Sequence, residues 1–460
     1  MLPINSRRGL TTKRPFRKPG SKALKPSPAI GSLLTSHCER DSRIVKNPVH
    51  RSKRSERMPS PRANITESVL VWARKQAGYS PEEAAKKLAV KAERYLAWEN
   101  PKDDLKPTIK QLRNAAKLFK RPVSLFYLAE PPHGFQPMRD FRRLPGDRMR
   151  AYSPALLYEM ERAQQRRNLA LELYQAVGND LREFTLSATL DDDAEEVGAR
   201  IRKALGINIA EQTTWKRKGP LEPFKAWRRA IEAFGVLVFQ MSSVEADEVN
   251  GFALANKVLP IIAVNRSDAP NRRTFGLLHE FSHLLLDLSG VSELDVDTFR
   301  PPEEQRIEVF CNHVAAAALM PQDHILSHTL VKQHPGKSTD WTDNGIRSVS
   351  DQFGVSREAF LRRLVTFERT TLPFYAAKKE QYDEEWRNFR ARQRIEYKES
   401  KKEFRKNPPQ DVFVELGRPF VRLVLNSVRQ DILTLTEASG YFGNLRIRHF
   451  PKLEERVFAG

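Results

Sequence analysis

The stretch RTFGLLHEFSHLLL occupies residues 273–286 and contains the pattern His-Glu-x-x-His at His279, Glu280 and His283. On a helix, residues four positions apart lie one turn apart on the same face, so both imidazoles can bind one Zn²⁺ ion. Glu280 points in a neighbouring direction, from which it can act as a general base on water without binding the metal. The pattern therefore predicts a metal-binding helix that carries a catalytic carboxylate.

This helix is apolar on nearly every side, as its leucine and phenylalanine residues at 275, 277, 278, 281 and 284–286 indicate. Such a helix is normally buried. Burying two imidazoles and a carboxylate costs several kcal/mol of folding free energy unless these groups have partners. A metal ion is one such partner. The alternative is that the histidines are hydrogen-bonded core or surface groups.

A catalytic zinc site needs a third protein ligand and one open coordination position. The predicted helix from Glu303 to Met320 supplies the best candidate, Glu308, which lies 25 residues after His283 and leaves room for a returning loop. Glu303 and Glu304 lie nearer the helix start, where acidic residues also favour the helix dipole. Three histidines remain as alternative ligands: His313, His324 and His328.

Around these residues the sequence resembles the ImmA/IrrE-type metallopeptidases. The matching stretches are residues 251–252, 259–265, 273–280, 308–316 (EVFCNHVAA) and 319–321 (LMP), with weaker likeness at 139–142, 235–239 and 353–356. The family pattern Glu-x-x-Ala-Asn-x-Phe-Ala-Ala implies that Glu308 is the third zinc ligand. The chain departs from this pattern at Cys311 and Val314, which both suit a helix core. The resemblance implies a zinc-dependent regulatory endopeptidase that cleaves a transcription regulator, with Mn²⁺ as a substitute metal in vitro.

The expected mechanism places an extended substrate against a small sheet. Three apolar segments predict its strands, at 236–239, 251–255 and 259–264. We expect segment 251–255 to form the sheet edge, to which the substrate adds as a further strand. No residue stands out as the group that stabilises the oxyanion, and the candidates are Arg306, His324 and His328.

Upstream, residues 66–128 resemble the helix-turn-helix domain of the Cro/phage-repressor type. Ser80 predicts an N-cap, with Pro81 at the first helical position and Glu83 three residues after the cap, and Thr108 caps a later helix. The recognition helix would begin near Lys91 and direct four residues toward DNA: Lys91, Ala92, Glu93 and Arg94. These are not the usual side chains for reading base edges. The alternative is a domain that dimerises or docks a protein partner.

Hydrophobic periodicity predicts a mostly helical α+β protein. We expect a disordered basic arm at 1–62, an all-α helix-turn-helix domain at 63–132, a helical connecting region at 133–230, a small-sheet HExxH zinc peptidase domain at 231–370 and a helical C-terminal unit at 371–460. Predicted helices of the last four regions include 193–205, 222–234, 271–287, 303–320, 346–366 and 378–405.

Much of the net charge of +21 lies in the arm, because residues 1–60 hold 15 basic and 3 acidic side chains. The charge therefore does not by itself predict that the folded part binds nucleic acid. The arm has three explanations: a nucleic-acid-binding tail, a transit peptide, or an untranslated segment if translation starts at Met58. Only Cys38 and Cys311 occur, and no apolar run approaches the roughly 20 residues of a membrane helix. We expect a cytoplasmic protein with no membrane partner, and Cys311 as a buried core residue.

Two other functions stay open. One is a DNA-binding transcription regulator whose zinc site only stabilises the fold or senses the metal. An intact Glu280 favours the enzyme, because a structural site needs no general base. The other is membership of a toxin–antitoxin or mobile-element immunity pair, which only the neighbouring genes can decide. The expected partners are a protein substrate and DNA, the latter through residues 63–132.

Overall fold

A computed structural model describes residues 61–131, 139–140, 152–245, 248–292, 302–399 and 407–458. The predicted basic arm, apart from its last two residues, lies outside this range, as do Cys38 and the start predicted at Met58. The described chain is mostly helical and has one small mixed sheet, which agrees with the predicted α+β class. No helix among these residues combines the length and the apolar character that crossing a membrane requires.

Residues 61–131 form four short helices and a 3₁₀ turn around one apolar core. Two predicted caps are confirmed: Ser80 and Thr108 each accept a hydrogen bond from the backbone N–H three residues later, and each takes part in a capping box. Such boxes satisfy backbone groups that the start of a helix leaves without partners. The elements are α1 (Glu67–Gln76), α2 (Pro81–Lys87), α3 (Ala92–Glu99), α4 (Ile109–Leu118) and the turn Val123–Tyr127.

A nearly buried ion pair fixes α3 against α1. Arg74 donates hydrogen bonds of 2.7 and 2.9 Å to the carboxylate of Glu99, and a third of 2.8 Å to the carbonyl of Tyr79. A two-bonded arginine–carboxylate pair sets orientation as well as distance. The chain between α2 and α3 turns tightly, with Ala89 in the left-handed region at a φ of 54°. The position of α3 is thus well determined, and its role as a recognition helix stays a prediction.

Fifteen further helices follow in the described part of the chain. They are α5 (Pro154–Val177), α6 (Ala194–Leu205), α7 (Ile209–Lys218), α8 (Glu222–Ala233), α9 (Pro270–Leu285), α10 (Pro302–Leu319), α11 (Gln322–Ser327), α12 (Thr329–Lys332), α13 (Asp343–Phe353), α14 (Arg357–Thr366), α15 (Leu372–Glu399), α16 (Pro408–Leu416), α17 (Arg418–Arg429), α18 (Leu435–Tyr441) and α19 (Phe450–Phe458). The segment predicted as helical at 346–366 is divided into two helices, because Gly354 ends α13 in a left-handed conformation and Ser356 caps α14. The sequence did not predict α7.

Among the described residues the sheet has five strands in the order β1-β5-β3-β4-β2. They are β1 (Arg139–Asp140), β2 (Leu237–Met241), β3 (Gly251–Leu254), β4 (Ile261–Asn265) and β5 (Gly290–Ser292). β2 is parallel to β4, and β3 is antiparallel to both β4 and β5. The prediction that segment 251–255 forms a sheet edge is therefore wrong. β5 covers that side of β3, and its three residues are too few to produce an alternating pattern in the sequence.

Both faces of the sheet are buried, so successive strand residues enter two different cores. Ala253 and Ile262 belong to the core that also contains residues of α9, the helix that carries the metal-binding pattern. Phe252 and Ile261 face the opposite way, toward α5 and α17. Strands covered on both faces read as continuous apolar runs. The C-terminal helices thus cover the face of the sheet opposite α9.

Candidate metal centre

The two histidines of the pattern lie on α9, which is buried along most of its length. Every residue from Gly276 to Leu285 is buried, and α9 packs against β3, β4, α8 and α10. His279 is 0 % and His283 is 1 % exposed, and their ring centroids lie 4.8 Å apart. The predicted one-turn spacing therefore places both imidazoles side by side inside the protein.

Glu308 reaches the histidines because α10 packs very closely on α6. A Cβ atom added at Gly198 of α6 would lie 2.7 Å from the Cβ of Ala317 and 2.8 Å from the backbone nitrogen of Ala318. Such distances are shorter than van der Waals contact, so glycine allows an approach that a larger residue would prevent. This contact fixes the distance of α10 from the core.

The C-terminal end of α10 is held by three buried polar side chains. They donate hydrogen bonds of 2.8–3.1 Å to successive backbone carbonyls: Arg202 to Ala318, Gln212 to Leu319 and Arg363 to Met320. These bonds satisfy carbonyls that the end of a helix leaves without partners, and the two arginines place positive charge at the negative end of the helix dipole. The depth and tilt of α10, and with them the position of Glu308, depend on this network.

The donor atoms of His279, His283 and Glu308 converge, and all lie within 4.8 Å of one another. The two Nε2 atoms are 3.1 Å apart, and the carboxylate oxygens of Glu308 lie 3.4 Å from Nε2 of His279 and 3.3 Å from Nε2 of His283. Zinc bonds of about 2.0–2.1 Å at tetrahedral angles would place neighbouring donors about 3.3 Å apart. The geometry and the donor types both fit a tetrahedral zinc site.

A hydrogen bond to Asn312 orients the ring of His279. Nδ1 of His279 lies 3.1 Å from Oδ1 of Asn312, and an amide oxygen can only accept, so Nδ1 carries the proton. Nε2 is therefore the ring nitrogen that faces His283 and Glu308. Outer partners of this kind fix the tautomer of metal-binding histidines. Sequence analysis did not assign this role to Asn312, although its position one turn after Glu308 was a usable signal.

Glu308 is ionised in this environment. Burial raises its pKa, but the adjacent charges and hydrogen bonds of His279 and then His283 outweigh burial and bring the pKa to about 2. A carboxylate is the form that binds a metal ion.

On the same helix, Cys311 is fully buried, and burial raises the pKa of its thiol. The prediction that Cys311 is a core residue is confirmed.

Glu280 is also fully buried, and it packs directly against the backbone of β3. A Cβ atom added at Gly251 would lie 2.8 Å from Oε1 of Glu280 and 2.9 Å from its Cγ. Glycine at this position leaves the space that the carboxylate occupies. Gly251 therefore helps to set where the predicted general base lies.

The alternative ligands lie outside the group of converging donors. His313 and His324 are exposed, and Nδ1 of His328 accepts a hydrogen bond from the backbone N–H of Leu330 at the start of α12. Arg306, a candidate for oxyanion stabilisation, forms an exposed ion pair with Asp191. Within the described parts of the chain, the group of histidine, cysteine and acidic side chains that could hold a metal comprises His279, His283 and Glu308.

The residues predicted to face DNA lie at the start of α3. The side chains of Lys91, Glu93 and Arg94 are exposed, whereas Ala92 is partly buried against the N-terminal core. Lys91 is the N-cap residue of α3, but its side chain makes no capping hydrogen bond. Its side chain and that of Arg94 are thus available at the surface.

Comparison with protein-family models gives a match over residues 231–365 to the peptidase M78 family, described as the IrrE N-terminal-like domain. The matched segment contains β2, β3, β4, α9 and α10, and thus all three converging donors. The match supports a metallopeptidase of the ImmA/IrrE family, in agreement with the resemblance seen in the sequence. A comparison with curated proteins found no match.

Proposed function

We propose that the protein is a zinc-dependent metallo-endopeptidase whose metal is bound by His279, His283 and Glu308. The observation that carries the proposal is the convergence of three buried donors at separations of 3.1–3.4 Å. A zinc ion at this place would polarise the substrate carbonyl and acidify a water molecule. The same donors would accept Mn²⁺ in vitro.

Glu280 is the proposed general base. Its carboxylate takes a proton from the attacking water and later delivers it to the leaving amine. The side chain of Glu280 extends from α9 to the backbone of Gly251. Its position is therefore set by packing rather than by a flexible loop. A preorganised base of this kind needs little rearrangement as the proton moves.

The number of ligands supports catalysis over a purely structural zinc site. Structural sites normally have four protein ligands, whereas catalytic sites have three and keep one position open. The donor group found in the described segments has three members. The group also lies next to Glu280, a carboxylate that does not belong to it, and this too supports a catalytic site.

The proposed substrate is a transcription regulator, cut at one or a few sites, as the resemblance to the family implies. Helices α1–α4 would bring the enzyme to DNA or to the regulator. The exposure of Lys91 and Arg94 on α3 supports a DNA contact, because two cations at a helix start can bind phosphate. Incubation with a repressor encoded beside the gene, in the presence of Zn²⁺ or Mn²⁺, tests the substrate assignment.

Metal content tests the site. We expect about one Zn²⁺ per chain in the wild-type protein and loss of zinc in Glu308→Ala, with the melting curve showing a folded protein. Glu303→Ala is the matched control, because Glu303 lies on the same helix and is exposed. Full zinc occupancy in Glu308→Ala would show that the third ligand is a different residue, and loss in both variants would point to a general effect on α10.

A further inference from the structure

A cleft of about 900 Å³ is lined in part by residues of α9 and α10, the two helices that carry the metal ligands. Its lining includes Phe275, one turn before His279 on α9, and Asn312, one turn after Glu308 on α10. It also includes Asn250, the neighbour of Gly251. The remaining walls include residues of α13, α14 and α15, so a chain bound in the cleft would lie against the helices that carry the metal ligands.

Basic side chains outnumber acidic ones on the walls of this cleft, and two of them, Arg357 and Arg363, pair with Glu385 and Glu195, which lie outside the lining. Eight of the lining side chains are Arg or Lys and four are Asp or Glu, so cations outnumber anions by two to one. One of the four acids, Glu358, accepts a hydrogen bond of 2.6 Å from Tyr375, and another, Asp268, accepts one of 2.8 Å from Asn250. A concave surface lined by one sign of charge concentrates its field on whatever enters.

Three arginines lie over aromatic rings of α15. The guanidinium carbon of Arg357 is 3.9 Å from the ring centre of Tyr382, that of Arg362 is 5.3 Å from Tyr375, and that of Arg390 is 6.0 Å from Trp386. Stacking on a ring holds a guanidinium in place and leaves its N–H groups in the plane of the guanidinium, where that of Arg357 donates a hydrogen bond of 2.6 Å to Glu385. It also covers ring faces that nucleic-acid bases would need for stacking.

We propose that this cleft binds a peptide segment carrying acidic side chains and presents the adjoining peptide bond to the metal centre. Held guanidinium groups recognise carboxylates with two parallel hydrogen bonds, which gives them selectivity for Asp and Glu. The proposal deepens the endopeptidase function proposed above and rests on it for the identity of the reaction. It adds the chemical class of the substrate and the surface that selects it.

The electrostatics of His313 agree with a positive cleft wall. His313 lines the cleft next to Asn312; although the residue is exposed, desolvation is the largest cause that lowers its pKa, and the charges of Arg362 and Arg363 lower it further. The charges of these two arginines disfavour a further cation at this wall. Arg347 on α13 and Arg390 on α15 extend the same field from different helices, and Arg347 is exposed to an incoming ligand.

Binding of labelled peptides to the zinc-loaded Glu280→Gln protein tests this proposal without turnover. The probes are a fluorescein-labelled dodecapeptide of alternating Glu and Ala, its Lys/Ala counterpart, and a 12-nucleotide thymidine oligonucleotide. The cleft variant is Arg347→Glu with Arg390→Glu. The control is Lys203→Glu with Lys332→Glu, two exposed residues outside the cleft lining. Both variants change the net charge equally and keep the basic residues 1–60, so only their difference reports on the cleft.

We expect the Glu/Ala peptide to bind and its Kd to rise about tenfold in the cleft variant, with a much smaller change in the control. Arg347→Gln with Arg390→Gln should give an intermediate effect, and melting curves check that every variant is folded. Equal affinity for the Glu/Ala and Lys/Ala peptides, equal weakening in the cleft and control variants, or tighter binding of the oligonucleotide would each overturn the proposal. If the Glu/Ala peptide binds in the cleft but zinc-loaded wild-type protein cleaves no acidic peptide, the cleft assignment is supported and the endopeptidase function fails.

Discussion

Replacing Gly251 by alanine adds one methyl group against the proposed general base. The new Cβ would lie 2.8 Å from Oε1 of Glu280, 2.9 Å from its Cγ and 2.9 Å from the carbonyl oxygen of Ala263. Ordinary contacts of this kind are 3.4 Å or longer. Glu280 and the neighbouring strand must therefore move apart by about half an ångström. The φ of Gly251 lies outside the left-handed region, so the strain comes from space alone.

This displacement has two measurable effects. Overpacking in a tight core destabilises by about 1–3 kcal/mol, so we expect the melting temperature to fall by a few degrees. A misplacement of about 1 Å can reduce turnover roughly 10²-fold, so half of that should reduce it about tenfold. Zinc content should stay at the wild-type level, because no ligand is touched. The assay combines metal analysis, thermal unfolding and turnover of the peptide that the wild-type protein cleaves best.

Gly440→Ala is the matched control for Gly251→Ala. Gly440 lies in α18, and a Cβ atom there would have no neighbour within 4 Å. Alanine is the better helix former by about 1 kcal/mol, so this variant should be as stable as the wild type or more so, with unchanged turnover. If Gly251→Ala behaves like Gly440→Ala in both measurements, the packing of β3 does not position Glu280.

Three further predictions concern single functions. Glu280→Gln should keep its zinc and its fold but lose about 10²–10⁴-fold in turnover, because an amide cannot accept the proton; wild-type turnover would mean that the metal is structural. Asn312→Ala should weaken zinc affinity about 10–100-fold in a chelator competition, because His279 loses the partner that fixes its ring, and an unchanged affinity would contradict that role. Lys91→Ala with Arg94→Ala should weaken DNA binding and reduce the slope of log K against log salt by about 1–2; an unchanged slope would favour a domain that docks a partner.

The sequence was sufficient for features that depend on local spacing. His279 and His283 meet because a helix brings residues four positions apart to one face, and that rule needs no tertiary information. The caps at Ser80 and Thr108 follow from the same kind of local pattern. Glu308 was less determined by spacing alone, because the loop before α10 sets no register between the two helices. Its choice over the histidines depended on the resemblance to a family.

Other features could not be read from local patterns. β5 has only three residues, and without it β3 seemed to lie at an edge. The bonds that hold α10 come from residues about 40 to 120 positions away in the chain, such as Arg202 and Arg363. Each of these residues alone reads as an ordinary surface arginine. The cleft has the same character, because its walls come from α9, α10, α13, α14 and α15.

The bonds at the end of α10 have a consequence for how far the catalytic unit extends. Gly198, Arg202 and Gln212, which set the place of α10, all precede residue 231, where the match to the peptidase family begins. The matched segment is therefore not autonomous: excised on its own, it would lose the donors to the carbonyls of Ala318 and Leu319 and leave one side of α10 in water. A graft of this unit into another protein should therefore begin no later than Asp193, the N-cap of α6.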